Sequence, residues 1–275
     1  MEARLQRRIQ RYGWDLAASD YESLWRAQLA PAHTQLLACA SLARGQRVLD
    51  VACGSGLIAL AAAEAVGQRG EVVGVDLSAQ MVEALRHRAH ERGLANVQCA
   101  RMDAEKLALH DTSFDVALSA LGLMFVPDPE QAVREMRRVL RPGGRAVIAV
   151  WGERSRCGWS TVFPIVEAEV ASDVCPLFFR LGNGDTLAGL CAGARFDRIE
   201  LHRIATTMEY ADADEACNAA FVGGPMALAW SRFDEGVRAR VRERYVESIA
   251  AWRRGSGFRI PGEFVIVSAS VPVFR

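Results

Sequence analysis

The stretch Val48-Leu49-Asp50-Val51-Ala52-Cys53-Gly54-Ser55-Gly56 joins an apolar run to a glycine-rich turn that opens a helical pattern. Glycines let the backbone turn sharply and approach a ligand closely, and a helix N-terminus presents unpaired N–H groups at its positive end. A turn of this kind suits a carboxylate or a phosphate, an anion there being stabilised by ~0.3 to 1 kcal/mol. Twenty residues beyond Gly56, the run Val73-Gly74-Val75-Asp76 ends in a carboxylate placed to meet the cis-diol of a ribose. Together the two features indicate a nucleoside-containing cofactor. The spacing Gly54-x-Gly56-x-x-Ala59 also satisfies the loose dinucleotide pattern, so a nicotinamide cofactor and a plain strand-to-helix turn are the competing readings.

These residues need a scaffold, and hydrophobic periodicity supplies it. Short apolar runs at 48–52, 71–76, 97–101, 114–120 and 145–151 alternate with helical patterns at 57–66, 79–92 and 129–140. Gly67, Gly93 and Pro142-Gly143-Gly144 close the periodic segments. Strand and helix in alternation mean a parallel sheet covered on both faces, whose ligands bind at the carboxyl ends of the strands. Ahead of this block lie two or three helical stretches with Pro31 at a helix start and the aromatics Tyr12, Trp14, Tyr21 and Trp25. Behind it the pattern predicts helices at 160–171 and 185–191, a strand at 196–210, one long helical segment over 212–254 and a closing strand at 263–271.

Composition narrows the function. The chain has 275 residues, 51% hydrophobic and 24% charged, which fits one large folded domain. Thirty-three basic residues balance thirty-three acidic ones, so no overall field draws nucleic acid or anionic lipid, and neither is expected as a partner. No apolar run is long enough to span a bilayer and no leader pattern opens the chain, which predicts a cytoplasmic protein. Seven cysteines, never spaced C-x-x-C, predict neither a disulfide framework nor a zinc site, and no metal is expected. Lys106 is the only lysine, so the Tyr-x-x-x-Lys pair of short-chain oxidoreductases is absent.

Further features follow in order: Asp50 ahead of the loop, Met102-Asp103-Ala104 after the third strand, Phe114 through Ala120, and Leu140-Arg141-Pro142-Gly143-Gly144 before an apolar strand. Over residues 46–151 this series resembles the class I S-adenosylmethionine-dependent methyltransferases, in the small-molecule branch similar to the ubiquinone/menaquinone C-methyltransferases. The resemblance implies an α/β fold: a Rossmann-like, doubly wound, mostly parallel seven-stranded sheet with an antiparallel last strand and helical cap insertions. It implies S-adenosylmethionine as cofactor, with Ala52, Gly54, Ser55 and Gly56 at its methionine part and Asp50 anchoring the ammonium. Asp76 would take both ribose hydroxyls, Leu77 and Met81 would pack on the adenine, and Asp103 and Ala104 would read its edge. Ser119 would sit near the sulfonium, and Tyr21 and Trp25 would reach the site from an N-terminal lid.

The expected organisation is a helical lid over residues 1–45, a cofactor-binding core over 46–151, and a remainder over 152–275 in the same domain. Its insertions at 152–194 and 212–254 would cap a small-molecule substrate. The expected reaction is in-line methyl transfer to a small, largely apolar acceptor; the alternatives are an NAD(P)-dependent oxidoreductase and a catalytically silent cofactor-binding module. Many relatives carry a histidine after the fourth strand where this chain reads Leu121-Gly122-Leu123-Met124-Phe125-Val126-Pro127-Asp128, so no catalytic residue is assigned. Glu153, Asp128 and His33 are candidate bases, while Met102, Met124 and Phe125 read as packing residues.

Overall fold

The computed structural model describes residues 3–170 and 178–273 of the chain. Five parallel strands form its frame: β1 (Arg47–Val51), β2 (Glu71–Asp76), β3 (Val97–Arg101), β4 (Phe114–Ala120) and β5 (Leu140–Trp151). The order across the sheet is β3-β2-β1-β4-β5, extended by β8 (Gly257–Ser270) and β6 (Asp197–Tyr210). Strand β8 runs antiparallel to both neighbours, and β7 (Arg253–Arg254) is a two-residue pairing on its edge, an addition to the seven expected strands. Residues Val147 to Val150 and Phe264 to Val267 are fully buried because helices cover both faces here. Each such valine, isoleucine or phenylalanine side chain contributes about 1.5 to 3 kcal/mol.

The crossovers are helices α3 (Leu57–Val66), α4 (Ala79–Glu91) and α5 (Pro129–Val139). Helix α4 starts where the Ser78 hydroxyl accepts from the Met81 N–H, and α5 where Asp128 accepts from the Gln131 N–H with Pro129 in the first turn. Helix α5 buries Ala132, Val133, Met136 and Val139, the i, i+1, i+4, i+7 stripe of a surface helix. Strand β5 begins at Leu140, five residues before the expected start, because Leu140 pairs with Phe114 ahead of an irregularity that takes up the Pro-Gly-Gly turn.

Two helices precede the sheet, α1 (Ala3–Ala17) and α2 (Tyr21–Ala40). Pro31 lies inside α2 and does not start a helix. The face carrying Trp25, Leu29, Ala32 and Leu36 is buried on both sides of it, so packing outweighs the hydrogen bond that proline removes. The carboxyl end of α2 is tied down by Arg145, whose guanidinium donates to the Cys39 and Ala40 carbonyls at 3.2 and 2.9 Å.

After β5 come α6 (Val162–Val170) and α7 (Thr186–Gly193); the end of the expected helix at Ala171, and Cys175, lie outside the described residues. The long helix expected over 212–254 is three helices, α8 (Ala213–Phe221), α9 (Ala227–Arg232) and α10 (Glu235–Ser248). Gly223-Gly224-Pro225 breaks the first join, and at the second Asp234 caps a new helix by accepting from the Val237 N–H. Among the described residues no helix is long and apolar enough to cross a membrane.

Candidate functional site

Between β1 and β4 the strand order reverses, and the loops leaving their carboxyl ends part to form a crevice. The backbone there is unusual. Ala52, immediately after β1, and Leu121, immediately after β4, hold φ values of 56° and 57°, a left-handed conformation costing a non-glycine residue ~1 to 2 kcal/mol. Gly56 starts α3 at φ 95°, and a Cβ on it would lie 2.4 Å from the Leu85 Cδ1 atom. Gly122 faces Ala52 so closely that a Cβ on it would meet the Ala52 Cβ at 2.3 Å. Of the non-glycine residues with positive φ, Ala52 and Leu121 are the two that line the crevice.

A cavity of about 760 Å³, counting its open mouth, fills this crevice. Ala52, Gly54, Asp76 and Leu77 line one side of it, and Met81, Asp103, Ala104 and Tyr21 also contribute to the wall. Asp50, Ser55, Gly56, Ser119 and Trp25 are not among its lining residues. Ser55 and Ser119 are fully buried, Ser119 alternating along β4 with Ala120, which does face the cavity.

The carboxylates differ in their surroundings. Asp76 accepts from the Gly54 N–H at 2.9 Å and from the Ser78 N–H at 2.8 Å, which fixes it at the end of β2. Burial nevertheless raises its pKa. Asp50 is 1% exposed and among the described residues no side chain pairs with its carboxylate, the Ala59 backbone N–H being the one group that favours its charge. Burial, with the nearby Asp76 charge adding to it, pushes its pKa up to about 8. Asp103 pairs with the Arg7 Nε at 3.0 Å and accepts from the Glu105 N–H at 3.0 Å.

Arg7, Gln10 and Trp14 of α1 complete the wall, and reading the sequence did not single out Arg7 or Gln10. Their role depends on contacts with distant residues, which no local pattern records. Helix α1 is held over the crevice by Arg7, which also pairs with Glu105, and by Asp15, which accepts from the Ser78 hydroxyl at 2.6 Å. From α2, Glu22 pairs with Arg88, whose guanidinium donates to the Ser55 carbonyl at 2.9 Å. Met102 and Phe125, read as packing residues, are part of this wall too.

A second cavity of about 540 Å³, again counting its open mouth, adjoins the first, the two sharing Trp14, Tyr21, Leu121 and Phe125. Trp25 and Met124 line this one, with Trp151, Trp159 and Phe178 beside them and Tyr210 and Tyr245 across. Their rings touch edge to face: Trp25 and Trp159 at 6.3 Å between centroids, Trp151 and Trp159 at 4.8 Å, Phe125 and Phe178 at 5.3 Å. Of the aromatics in the two insertions, Phe221 and Trp230 instead stack on each other at 4.7 Å. Burial raises the Tyr21 pKa above the ordinary tyrosine range, with Asp76 and Asp50 adding to it, so its hydroxyl stays neutral.

None of the candidate bases lines either cavity. Asp128 is occupied as the cap of α5. His33 is pushed down to about 4 by burial, and by the neighbouring Arg26, so it is neutral at pH 7. Glu153 lies within 4.0 Å of Arg203 and 3.8 Å of Arg156, ion pairs away from both cavities.

Residues 49–148 match a family model described as a methyltransferase domain. A ubiquinone/menaquinone biosynthesis C-methyltransferase of Azotobacter vinelandii is 34% identical over 176 residues, 58% of this chain and 70% of that protein. The aklanonic acid methyltransferase DauC of a Streptomyces species is 36% identical over 132 residues, 48% of this chain and 60% of that one. Against several other curated relatives the chain spans about half their length, 44%, 48% and 51% in three of them. A solved structure from Bacillus halodurans C-125, assigned as a methyltransferase, aligns with a TM-score of 0.64 at 20% identity. The alignment covers 88% of this chain and 99% of that one, a likeness of fold. The oxidoreductase and the silent module find no support among these relatives.

Proposed function

The chain belongs to the class I S-adenosylmethionine-dependent methyltransferases, and from that premise we propose that it methylates a small, largely apolar organic acceptor held in the aromatic second cavity. The observation that carries this reading is the adjacency of the two cavities across Tyr21, Leu121 and Phe125. One is edged with carboxylates and the other is walled by rings, so a polar cofactor and an apolar acceptor would meet at the shared wall.

The residues present fit the cofactor. Asp50 lies behind the cavity lining, two residues before Ala52, as a buried carboxylate that no side chain pairs, and an ammonium seated by the loop is the group that would relieve it. Asp76 stands at the end of β2 to accept from ribose hydroxyls, while Leu77, Met81 and Met102 offer an apolar bed for the adenine. Asp103 would accept from the exocyclic amine while keeping Arg7, and the Ala104 backbone would meet the ring edge. Bound there, S-adenosylmethionine supplies an electrophilic methyl group on a positively charged sulfur.

The chain's own part is to orient and to exclude water. Holding a nucleophile in line with its target is worth up to about 7 to 11 kcal/mol, and the ring-lined cavity suits that task for a planar or alkyl acceptor. With Glu153, Asp128 and His33 outside both walls and the wall carboxylates Asp76 and Asp103 taken up by the cofactor, the acceptor would arrive with a nucleophilic atom already available or lose its proton to water. Residues 1–45 would act as the lid, 46–151 as the cofactor core, and the insertions at 152–194 and 212–254 as the acceptor cap.

Label transfer tests this. Incubated with methyl-labelled S-adenosylmethionine and a cell extract, the protein is expected to move label into the organic-extractable fraction. Label recovered only in precipitated protein or nucleic acid would refute a small acceptor.

A further inference from the structure

Helix α1 is turned the opposite way from an ordinary surface helix. Its buried positions are Gln6, Gln10, Gly13 and Ala17, whereas Leu5, Tyr12 and Leu16 are 39%, 48% and 49% exposed. Ile9, between them, is half-buried. At 100° per residue, positions 5, 9, 12 and 16 fall within about 60° of arc and form one stripe along the helix. Among the described residues, Val273 is the only other exposed large hydrophobic side chain. An apolar stripe left in water on a helix whose polar face is buried calls for something to cover it.

Charge indicates what. Arg4, Arg8 and Arg11 follow one edge of the stripe, and Arg101 joins them in the groove beside α1. The Arg11 guanidinium lies over the exposed Tyr12 ring at 4.5 Å. The first turn of the helix has no acidic residue, and Asp15 is engaged by Ser78 and by the Gln80 N–H. The zero net charge of the whole chain conceals this local cluster.

We propose that α1 is an interfacial docking helix, its Leu5-Ile9-Tyr12-Leu16 stripe entering the headgroup boundary of an anionic lipid surface with its arginines on the phosphates. A basic helix with an apolar face binds membranes in this way. A second copy of the chain fits less well. A two-fold contact would set arginine rows against arginine rows, and one four-residue stripe falls short of the ~1,000 Å² that a stable interface buries. The inward side of the same helix places Arg7, Gln10 and Trp14 in the cofactor cavity. Docking would therefore bring the roof of the site to the lipid boundary, where apolar small molecules partition.

Flotation with vesicles tests the proposal on the full chain. The wild type is expected to float with phosphatidylglycerol-containing vesicles at low salt, to float poorly with pure phosphatidylcholine, and to release as salt rises. Leu5→Ser with Leu16→Ser should weaken binding by at least about tenfold. Arg4→Gln with Arg8→Gln should weaken it by about fivefold per residue. Unchanged calorimetric affinity for S-adenosylhomocysteine shows that each variant is folded. Absence of flotation with the anionic vesicles, or flotation by both variants equal to that of the wild type, would overturn the proposal. So would a dimer that the leucine changes dissociate while vesicles bind neither form.

Discussion

Asp50 makes the account quantitative. In the cofactor-free protein its carboxyl group titrates at about 8, through burial first and the charge of Asp76 second. At pH 7 the neutral form therefore outnumbers the carboxylate by about ten to one, and recruiting the carboxylate for an ammonium costs about 1.4 kcal/mol. The free-state pKa is raised and the bound-state pKa is lowered by the ammonium, so binding releases a proton and affinity rises with pH until about 8. Between pH 6 and 7, where the ligand's amino group stays charged, the gain is about tenfold. Calorimetry with S-adenosylhomocysteine in buffers of differing ionisation heat should show this gain with close to one proton released per site. Methylthioadenosine, which lacks the ammonium, should bind with no such slope, and Asp50→Asn should remove it. The same shift affects stability with a definite sign. A folded-state pKa above the unfolded value of an aspartate means that cofactor-free stability falls as pH rises from about 4 to 8, so Asp50→Asn should melt above the wild type at pH 8. A flat affinity profile with Asp50 intact, or the same slope in Asp50→Asn, would refute the reasoning.

Asp76→Asn should lower S-adenosylhomocysteine affinity at least about tenfold, since charge-assisted hydrogen bonds to the ribose are each worth ~1.5 to 3 kcal/mol; an unchanged dissociation constant would show that the ribose is held elsewhere. Gly56→Ala sets a Cβ 2.4 Å from Leu85 Cδ1 at a φ of 95°, so denaturant titration should show a loss of at least about 2 kcal/mol, and a loss below 0.5 kcal/mol would mean the α3 start relaxes easily. Label transfer should survive EDTA, because no group of three His, Cys, Asp or Glu residues among those described could hold a metal; activity lost to EDTA and restored by magnesium would contradict this.

The alternating core was legible because its signals are local. Helix α3 and strands β2, β3 and β4 fall on the residues that periodicity assigns, since each is bounded by glycine or by a polar break. Pro31 misled because a local rule about helix starts met a helix anchored by tertiary burial on both sides. The 212–254 segment kept helical periodicity through Gly223-Gly224-Pro225, and only the break residues marked the chain's turn. Strand β8 starts at Gly257, before the expected 263, because pairing with β6 continues through Pro261 opposite Thr207. In the site, Asp76, Leu77, Met81, Asp103 and Ala104 line the first cavity from positions the motif names, whereas Trp25 lines the second. Arg7 had no sequence signal, because its partners Asp103 and Glu105 lie far along the chain and are met only after folding.

Whether a methyl group is presented to the ring-walled cavity is read from a crystal structure with S-adenosylhomocysteine bound. The ribose should sit on Asp76 and the sulfur at the wall formed by Tyr21, Leu121 and Phe125, facing Trp25 and Trp159 in an enclosed space. A sulfur that opens instead onto a broad, charged, solvent-exposed surface would contradict this placement.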